Sequence, residues 1–227
     1  MVKNILFDLD ETLLDFKRSE SRALSNMLRH IGVEPTDKVI SRYSEINKSR
    51  WKLLEQGLLT RQQVKESRYE ILFAELGVDC LAADATAYYE DQLSQKGFVF
   101  PDTIKLLDTL YGRYKLYIVS NSGAYVQTGR MADCGIVKYF EDIFISENAG
   151  AEKPSREFFD YCFDRRPEIK VDESVIIGDS LTSDIQGGIN VGMRTIWFNP
   201  DGHQATDIHP DYEVKALMEI PALLEEL

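Results

Sequence analysis

Asp8-Leu9-Asp10-Glu11-Thr12 follows directly on an apolar run, Ile5-Leu6-Phe7, so two carboxylates stand two residues apart at the end of what reads as a buried parallel strand. Residues i and i+2 of a strand share a face, and where the chain curls beyond its last ladder bond both carboxylates can turn on one small ligand. That spacing suits an aspartate nucleophile with an acid/base beside it. Three further sets of reactive side chains follow apolar runs in the same way. Ser120-Asn121 comes after Tyr117-Ile118-Val119, Lys153-Pro154 comes after the run at 142–145, and Gly178-Asp179-Ser180-Leu181-Thr182-Ser183-Asp184 comes after 174–177. In order these are carboxylates, a hydroxyl, an amine and carboxylates again.

The elements that must position them are legible from periodicity. Five short runs rich in β-branched or aromatic residues, at 3–7, 116–120, 142–145, 174–177 and 194–198, read as strands, and helical segments separate the last four. Such alternation predicts an α/β fold, a Rossmann-like doubly wound parallel sheet whose ligand crevice lies at the carboxyl ends of the strands. Residues 18–96 carry almost no strand signal. There Thr36 and Thr60 read as helix N-caps and Gly32, Gly57 and Gly77 as stops. Leu24, Met27, Leu28 and Ile31, and again Val64, Ile71, Leu72 and Leu76, fall at helical spacing. The expectation is an inserted all-helical cap over 17–97, hinged at Phe16-Lys17 and Gly97-Phe98-Val99, with a catalytic core of 1–16 and 98–227. The run Gly187-Gly188-Ile189-Asn190-Val191-Gly192 lacks the strand-to-helix setting of a phosphate loop, and is read as close helix-sheet packing followed by a stop.

With 227 residues and 44% hydrophobic content the chain can bury a substantial core. A formal charge of -12 argues against nucleic-acid polymers and anionic membranes, so an anionic substrate must meet local cations. Three cysteines, Cys80, Cys134 and Cys162, show neither metal-finger nor disulfide spacing and are read as buried free thiols of a reducing, cytoplasmic setting. No stretch approaches the roughly 20 apolar residues of a membrane span. His30, His203 and His209 show no ligand spacing. The sequence is compatible with a monomer or a dimer.

The four motifs, in kind, order and placement, resemble those of the haloacid dehalogenase superfamily of phosphotransferases. The resemblance spans nearly the whole chain. It implies that Asp8 is the nucleophile that becomes an aspartyl-phosphate, and that Asp10 is the acid/base whose backbone carbonyl also helps hold a metal. It further implies that Lys153 screens the anions, and that the Ser120 hydroxyl with the Asn121 and Leu9 amides holds the phosphoryl oxygens. Mg²⁺ is the expected cofactor, held by Asp8, Asp10 and Asp179, with Asp184 orienting a metal water or Lys153. Asp10 and the Asp179/Asp184 pair disfavour a carbon-halogen hydrolase, which needs neither metal nor acid/base. Phosphonatases use a cap lysine, and Lys48, Lys52 and Lys65 are read as surface residues. A sugar-phosphate mutase, a phosphoglycolate phosphatase and a non-catalytic binding protein on the same fold remain the alternatives.

Within the cap, the stretch 43–51 with Glu55-Gln56-Gly57-Leu58-Leu59-Thr60 and Arg68-Tyr69 resembles the cap of bacterial pyrimidine 5′-nucleotidases. Asn47, Trp51 and Glu55 recur one turn apart, so Asn47 could offer an amide and Trp51 a stacking plane to a base. The resemblance therefore implies a small phosphorylated metabolite as substrate, most specifically a pyrimidine nucleotide.

Overall fold

All five apolar runs form strands, and their parallel register is what gathers the reactive side chains at one edge. β1 (Asn4–Phe7), β2 (Lys115–Ser120), β3 (Asp142–Ile145), β4 (Ser174–Gly178) and β5 (Arg194–Phe198) are joined by a sixth strand, β6 (Tyr212–Val214). The order is β3-β2-β1-β4-β5-β6 and every neighbouring pair is parallel. β6 has three residues, two of them exposed, so apolar periodicity could not reveal it. The computed structural model describes residues 1–205 and 207–227.

Successive residues of a strand point to opposite faces, and here both faces are buried, as a doubly wound sheet requires. Ile5, Phe7, Ile118, Val175, Ile177 and Ile196 build one core, while Leu6, Tyr117, Val119, Phe144 and Ile176 build the other. Each such side chain contributes about 1.5–3 kcal/mol on burial. The sheet that carries the reactive tips is thereby made rigid.

Helices α1 (Phe16–His30), α2 (Asp37–Glu55), α3 (Arg61–Leu76), α4 (Ala82–Ser94) and α5 (Thr103–Leu110) lie between β1 and β2 in sequence. They are followed by α6 (Ala124–Asp133), α7 (Ser146–Ala149), α8 (Arg156–Arg165), α9 (Gln186–Val191) and α10 (Ile220–Glu226). Thr36 caps α2, its side chain accepting from Val39 N–H. Thr60 opens α3 with a reciprocal box, its hydroxyl accepting from Gln63 N–H while the Gln63 side chain accepts from Thr60 N–H. Gly77 ends α3 at φ 66°, a left-handed conformation that favours glycine. Gly187 and Gly188 do pack closely: a Cβ would lie 2.8 Å from Phe159 at the first and 2.5 Å from Ile176 at the second.

The chain divides into two compact units, Met1–Phe16 with Gly97–Leu227, and Lys17–Lys96. The first contains the whole sheet and the second is built from helices. Among the described residues no helix is long and apolar enough to cross a membrane. Cys162 is buried, whereas Cys80 and Cys134 are only half-buried, and all three are free thiols.

Candidate active site

β1 is the central strand on which the site is built, because its end is flanked by β2 on one side and β4 on the other. Phe7 pairs with both Ile118 and Ile177, and the next amide, Asp8 N–H, donates to Ile177 C=O at 2.8 Å. Asp8 is thus held at the topological switch point of the sheet. The chain then turns sharply: Leu9 is buried in the core, and its carbonyl accepts from the Leu13 and Leu14 amides at 3.0 and 2.8 Å. Glu11 sits at φ 61°, an unusual conformation for a residue with a Cβ. The turn places the Thr12 hydroxyl 3.3 Å from Asp8 Oδ2 and 3.4 Å from Asp179 Oδ1.

Asp179 and Asp184 arrive from the end of β4. The Ser180 hydroxyl accepts from Ser183 N–H at the start of a π-helical turn, Leu181–Ile185, and Ser180 N–H donates to Asp184 Oδ2 at 3.0 Å. Gly178 is required here, since a Cβ at that position would lie 2.2 Å from Asp184 Oδ2. The Trp197 indole N–H fixes the backbone by donating to Asp179 C=O at 2.8 Å. One carboxylate oxygen from each of Asp8, Asp179 and Asp184 lies within 4.8 Å of the others.

Lys153 is the cation among them. It is 1% exposed, and its ammonium donates to Asp8 Oδ1 at 2.8 Å, Asp184 Oδ1 at 2.6 Å and Val119 C=O at 2.6 Å, using all three hydrogens. Burial alone would lower its pKa, but the Asp184 and Asp8 carboxylates outweigh that effect and hold the ammonium above its ordinary range. The carboxylates respond in the opposite direction. Burial, then repulsion from Asp184, pushes Asp8 up to about 7 despite the attraction of Lys153. Asp179 is likewise raised well above the ordinary value, by burial first and then by Asp8 and Asp184. Three carboxylates facing one ammonium make a centre with an excess of negative charge, suited to a hard cation with oxygen ligands.

Ser120 ends β2 and Asn121 follows it, with different tasks. The Asn121 side chain is occupied with Lys153: its Nδ2 donates to Lys153 C=O and its Oδ1 accepts from Lys153 N–H, both at 2.8 Å. It thus fixes the backbone that carries the ammonium. Ser120 is buried, and its Oγ accepts from Gln127 Nε2 at 2.9 Å. Asp10 is held from α6. Its Oδ1 accepts from Arg130 Nη1 at 2.6 Å and its Oδ2 from Gln127 Nε2 at 2.8 Å.

Gln127 and Arg130 escape a reading of motifs because they follow no strand directly. Their signal lies in α6 itself, where two long polar side chains three residues apart share one helix face and both are 0% exposed. Buried polar groups of that size need partners, and these reach the motif residues Asp10 and Ser120.

In the helical unit, Asn47 is 4% exposed and its amide is engaged at both ends. Its Nδ2 donates to Glu20 Oε1 at 2.6 Å and its Oδ1 accepts from Arg68 Nη1 at 3.0 Å, linking α1, α2 and α3. Ser44 donates to the other Glu20 oxygen, and the Arg68 guanidinium lies 5.8, 5.1 and 4.9 Å from the rings of Tyr43, Tyr69 and Tyr89. Burial pushes Tyr43 up to about 12, so the phenol stays neutral. Trp51 is half-buried, with the Arg61 guanidinium 5.9 Å from its ring. Lys48 and Lys52 are exposed, and Lys65 pairs with Glu90 at 2.9 Å. His30, His203 and His209 are exposed.

A parallel sheet with carboxylates, a buried lysine and a hydroxyl at its strand ends defines a hydrolase core, and residues 5–198 match the haloacid dehalogenase-like hydrolase family. The chain belongs to that family. It is 36% identical over 228 residues to the pyrimidine 5′-nucleotidase PynA of Streptococcus pneumoniae, covering 99% of this chain and 95% of that protein. To the HAD-hydrolase YfnB of Bacillus subtilis it is 35% identical over 223 residues, covering 98% and 95%. The crystal structure of YfnB bound to magnesium superposes with a TM-score of 0.93 over 98% of each chain. Identity to the pyrimidine 5′-nucleotidase YjjG of Escherichia coli is 29% over 221 residues, 97% and 96% of the two chains.

Proposed function

We propose that the protein is a Mg²⁺-dependent phosphomonoesterase that works through an aspartyl-phosphate, with pyrimidine nucleoside 5′-monophosphates as its substrates. The observation that carries this reading is the convergence of Asp8, Asp179 and Asp184 oxygens within 4.8 Å of one another around a single buried ammonium. Burial and mutual repulsion raise Asp8 and Asp179, and a divalent ion would relieve that repulsion. Asp8 and Asp179 would hold it, with the backbone of Asp10, while Asp184, which accepts from Lys153 and from Ser180 N–H, would orient the ammonium. When bound, Mg²⁺ would neutralise charge on the transferring phosphoryl group. The magnesium-bound crystal structure of YfnB supports the same ion here.

Lys153 holds Asp8 in place and lowers the repulsion between its carboxylate and an incoming phosphoryl group. An Asp8 oxygen attacks phosphorus and the ester P–O bond breaks. Asp10 gives its proton to the leaving alkoxide, which departs as an alcohol. Asp10 then takes a proton from water as that water attacks phosphorus, the P–O bond to Asp8 breaks, and inorganic phosphate is released. The Ser120 hydroxyl and the Asn121 and Leu9 amides hold the non-bridging oxygens. The nucleotide preference rests on PynA and YjjG, and within the helical unit on Trp51 as a stacking surface. Asn47, with both ends of its amide engaged, acts on that preference through the packing of α2. A reducing cytoplasm fits the three free thiols.

The test is acid quenching during turnover of a ³²P-labelled pyrimidine monophosphate with Mg²⁺. Label should remain covalently attached to wild-type protein and be absent from Asp8→Asn. Steady product without protein-bound label removes the covalent route, and a preference for phosphoglycolate or sugar phosphates in a parallel substrate screen removes the nucleotide assignment.

A further inference from the structure

The Asp10 carboxylate is held on both oxygens by two residues that no strand-end motif contains. Arg130 Nη1 donates to Asp10 Oδ1 at 2.6 Å, Gln127 Nε2 donates to Asp10 Oδ2 at 2.8 Å, and Arg130 Nη1 also lies 3.0 Å from Gln127 Oε1. The three groups form a closed set in which each polar end braces another. Arg130 is 0% exposed, and its guanidinium lies 5.3 Å from the centre of the Phe16 ring. A guanidinium sequestered this completely in an acidic protein is maintained against a considerable desolvation cost. Its direction is fixed because α6 is anchored nearby, with Gly97 N–H donating to Asp133 Oδ2 at 3.1 Å and no room for a Cβ at Gly97, 2.7 Å from Arg130 C=O.

Gln127 has a second connection. The same Nε2 that meets Asp10 donates to Ser120 Oγ at 2.9 Å. A primary amide has two hydrogens, so both bonds can form together. Because Ser120 Oγ accepts there, its own hydrogen must point elsewhere, and it remains available to an oxygen acceptor such as a phosphoryl group. One side chain therefore orients both the hydroxyl that would hold phosphate and the carboxylate that would serve the leaving group.

We propose that Gln127 and Arg130 are positioning residues for the hydrolytic reaction. Arg130 sets the orientation of Asp10, and Gln127 ties that orientation to the Ser120 hydroxyl, so that occupation of the phosphate position and placement of the acid/base are coupled. Both roles rest on the phosphatase reading of the site.

The experiment compares two substrates under first-turnover control, using kcat/KM, which reports the chemistry up to phosphoenzyme formation. A nucleoside 5′-monophosphate releases an alkoxide and needs a proton from Asp10. p-Nitrophenyl phosphate releases a stabilised phenolate and does not. Misplacing a catalytic group by about 1 Å can lower the rate roughly 10²-fold. Arg130→Met and Gln127→Met, which keep side-chain volume, should therefore lower kcat/KM on the nucleotide about 10- to 100-fold. On p-nitrophenyl phosphate Arg130→Met should cost less than about threefold, while Gln127→Met, which also releases the Ser120 hydroxyl, should cost more than that but clearly less than on the nucleotide. In an Asp10→Asn background Arg130→Met should add little and Gln127→Met should add only the loss it shows on p-nitrophenyl phosphate, because groups that act as a unit are not additive. Arg130→Lys, which keeps the cation, should recover part of the nucleotide activity. Equal losses on both substrates, or full additivity with Asp10→Asn, would overturn the proposal. If thermal melts show that Arg130→Met does not fold, Gln127→Met alone decides between these outcomes. Wild-type protein inactive on both esters in Mg²⁺ would bring down the phosphatase reading, and the positioning roles with it.

Discussion

Each unit of the molecule buries a group of charges, and the two groups are built on opposite principles. At the sheet end, Asp8, Asp179 and Asp184 face the single ammonium of Lys153, and burial with mutual repulsion drives Asp8 and Asp179 upward. In the helical unit, one anion, Glu20, and one cation, Arg68, are joined through the Asn47 amide, with three neutral phenols around the guanidinium. The balanced network is complete as it stands. On the proposed reading the unbalanced one is completed by a cation and a phosphoryl group, since an excess of buried charge of one sign points to a ligand.

The sharpest way to break this contrast is Asp8→Asn. Turnover should fall by four orders of magnitude or so, because the nucleophile is lost, while the metal-free protein should melt at the same temperature or a few degrees higher, because one repelling carboxylate is gone. A clear drop in melting temperature would mean that Asp8 belongs to the architecture after all.

Arg68→Met should show the reverse pattern. Removing the buried guanidinium that braces the Asn47 amide and packs against three rings should destabilise the fold by about 3–5 kcal/mol, a fall of about 2–4 °C in Tm for each kcal/mol. The double change Glu20→Gln with Arg68→Met should recover part of it. Should the two losses simply add, the network is not acting as a unit.

A pH series sharpens the electrostatic half of the contrast. Asp8 holds its proton more tightly when folded, with a pKa near 7 against an ordinary 3.8, so between those values the folded state binds more protons than the unfolded one. Stability of the metal-free protein should therefore decline as pH rises through that window. Mg²⁺ competes with those protons, so its stabilising shift in Tm should be small near pH 5 and grow to several degrees by pH 8. Calorimetry with and without chelator reads this directly, and a pH-independent shift would show that the carboxylates do not bind the ion.

Trp51→Ala makes the smallest prediction. It should change the ratio of pyrimidine to purine monophosphate hydrolysis by about 3- to 10-fold, the worth of roughly 1 kcal/mol of stacking, with little change in stability. An unaltered ratio in a substrate competition assay would confine Trp51 to packing.

How much of this can be read in the chain depends on how local the signal is. The five longer strands, the caps at Thr36 and Thr60 and the motif residues that follow four of those strands are visible because a short window contains both the apolar run and the group it presents. The burial of Asn47 is not visible in that way: its helix spacing with Trp51 and Glu55 is real, but whether a face points to solvent or to neighbours is decided by Glu20 and Arg68, contributed by other helices. Gln127 and Arg130 are equally hidden, since their importance comes from Asp10 and Ser120, far away in sequence or on another element. β6 escapes for want of length.

The link from Glu20 through Asn47 to Arg68 fastens three helices from the inside, which leaves their outer surfaces under little constraint from stability. Exposed side chains near Trp51 can then be exchanged without loosening this internal tie, so that, on the proposed reading, substrate preference can change while the fold keeps its stability.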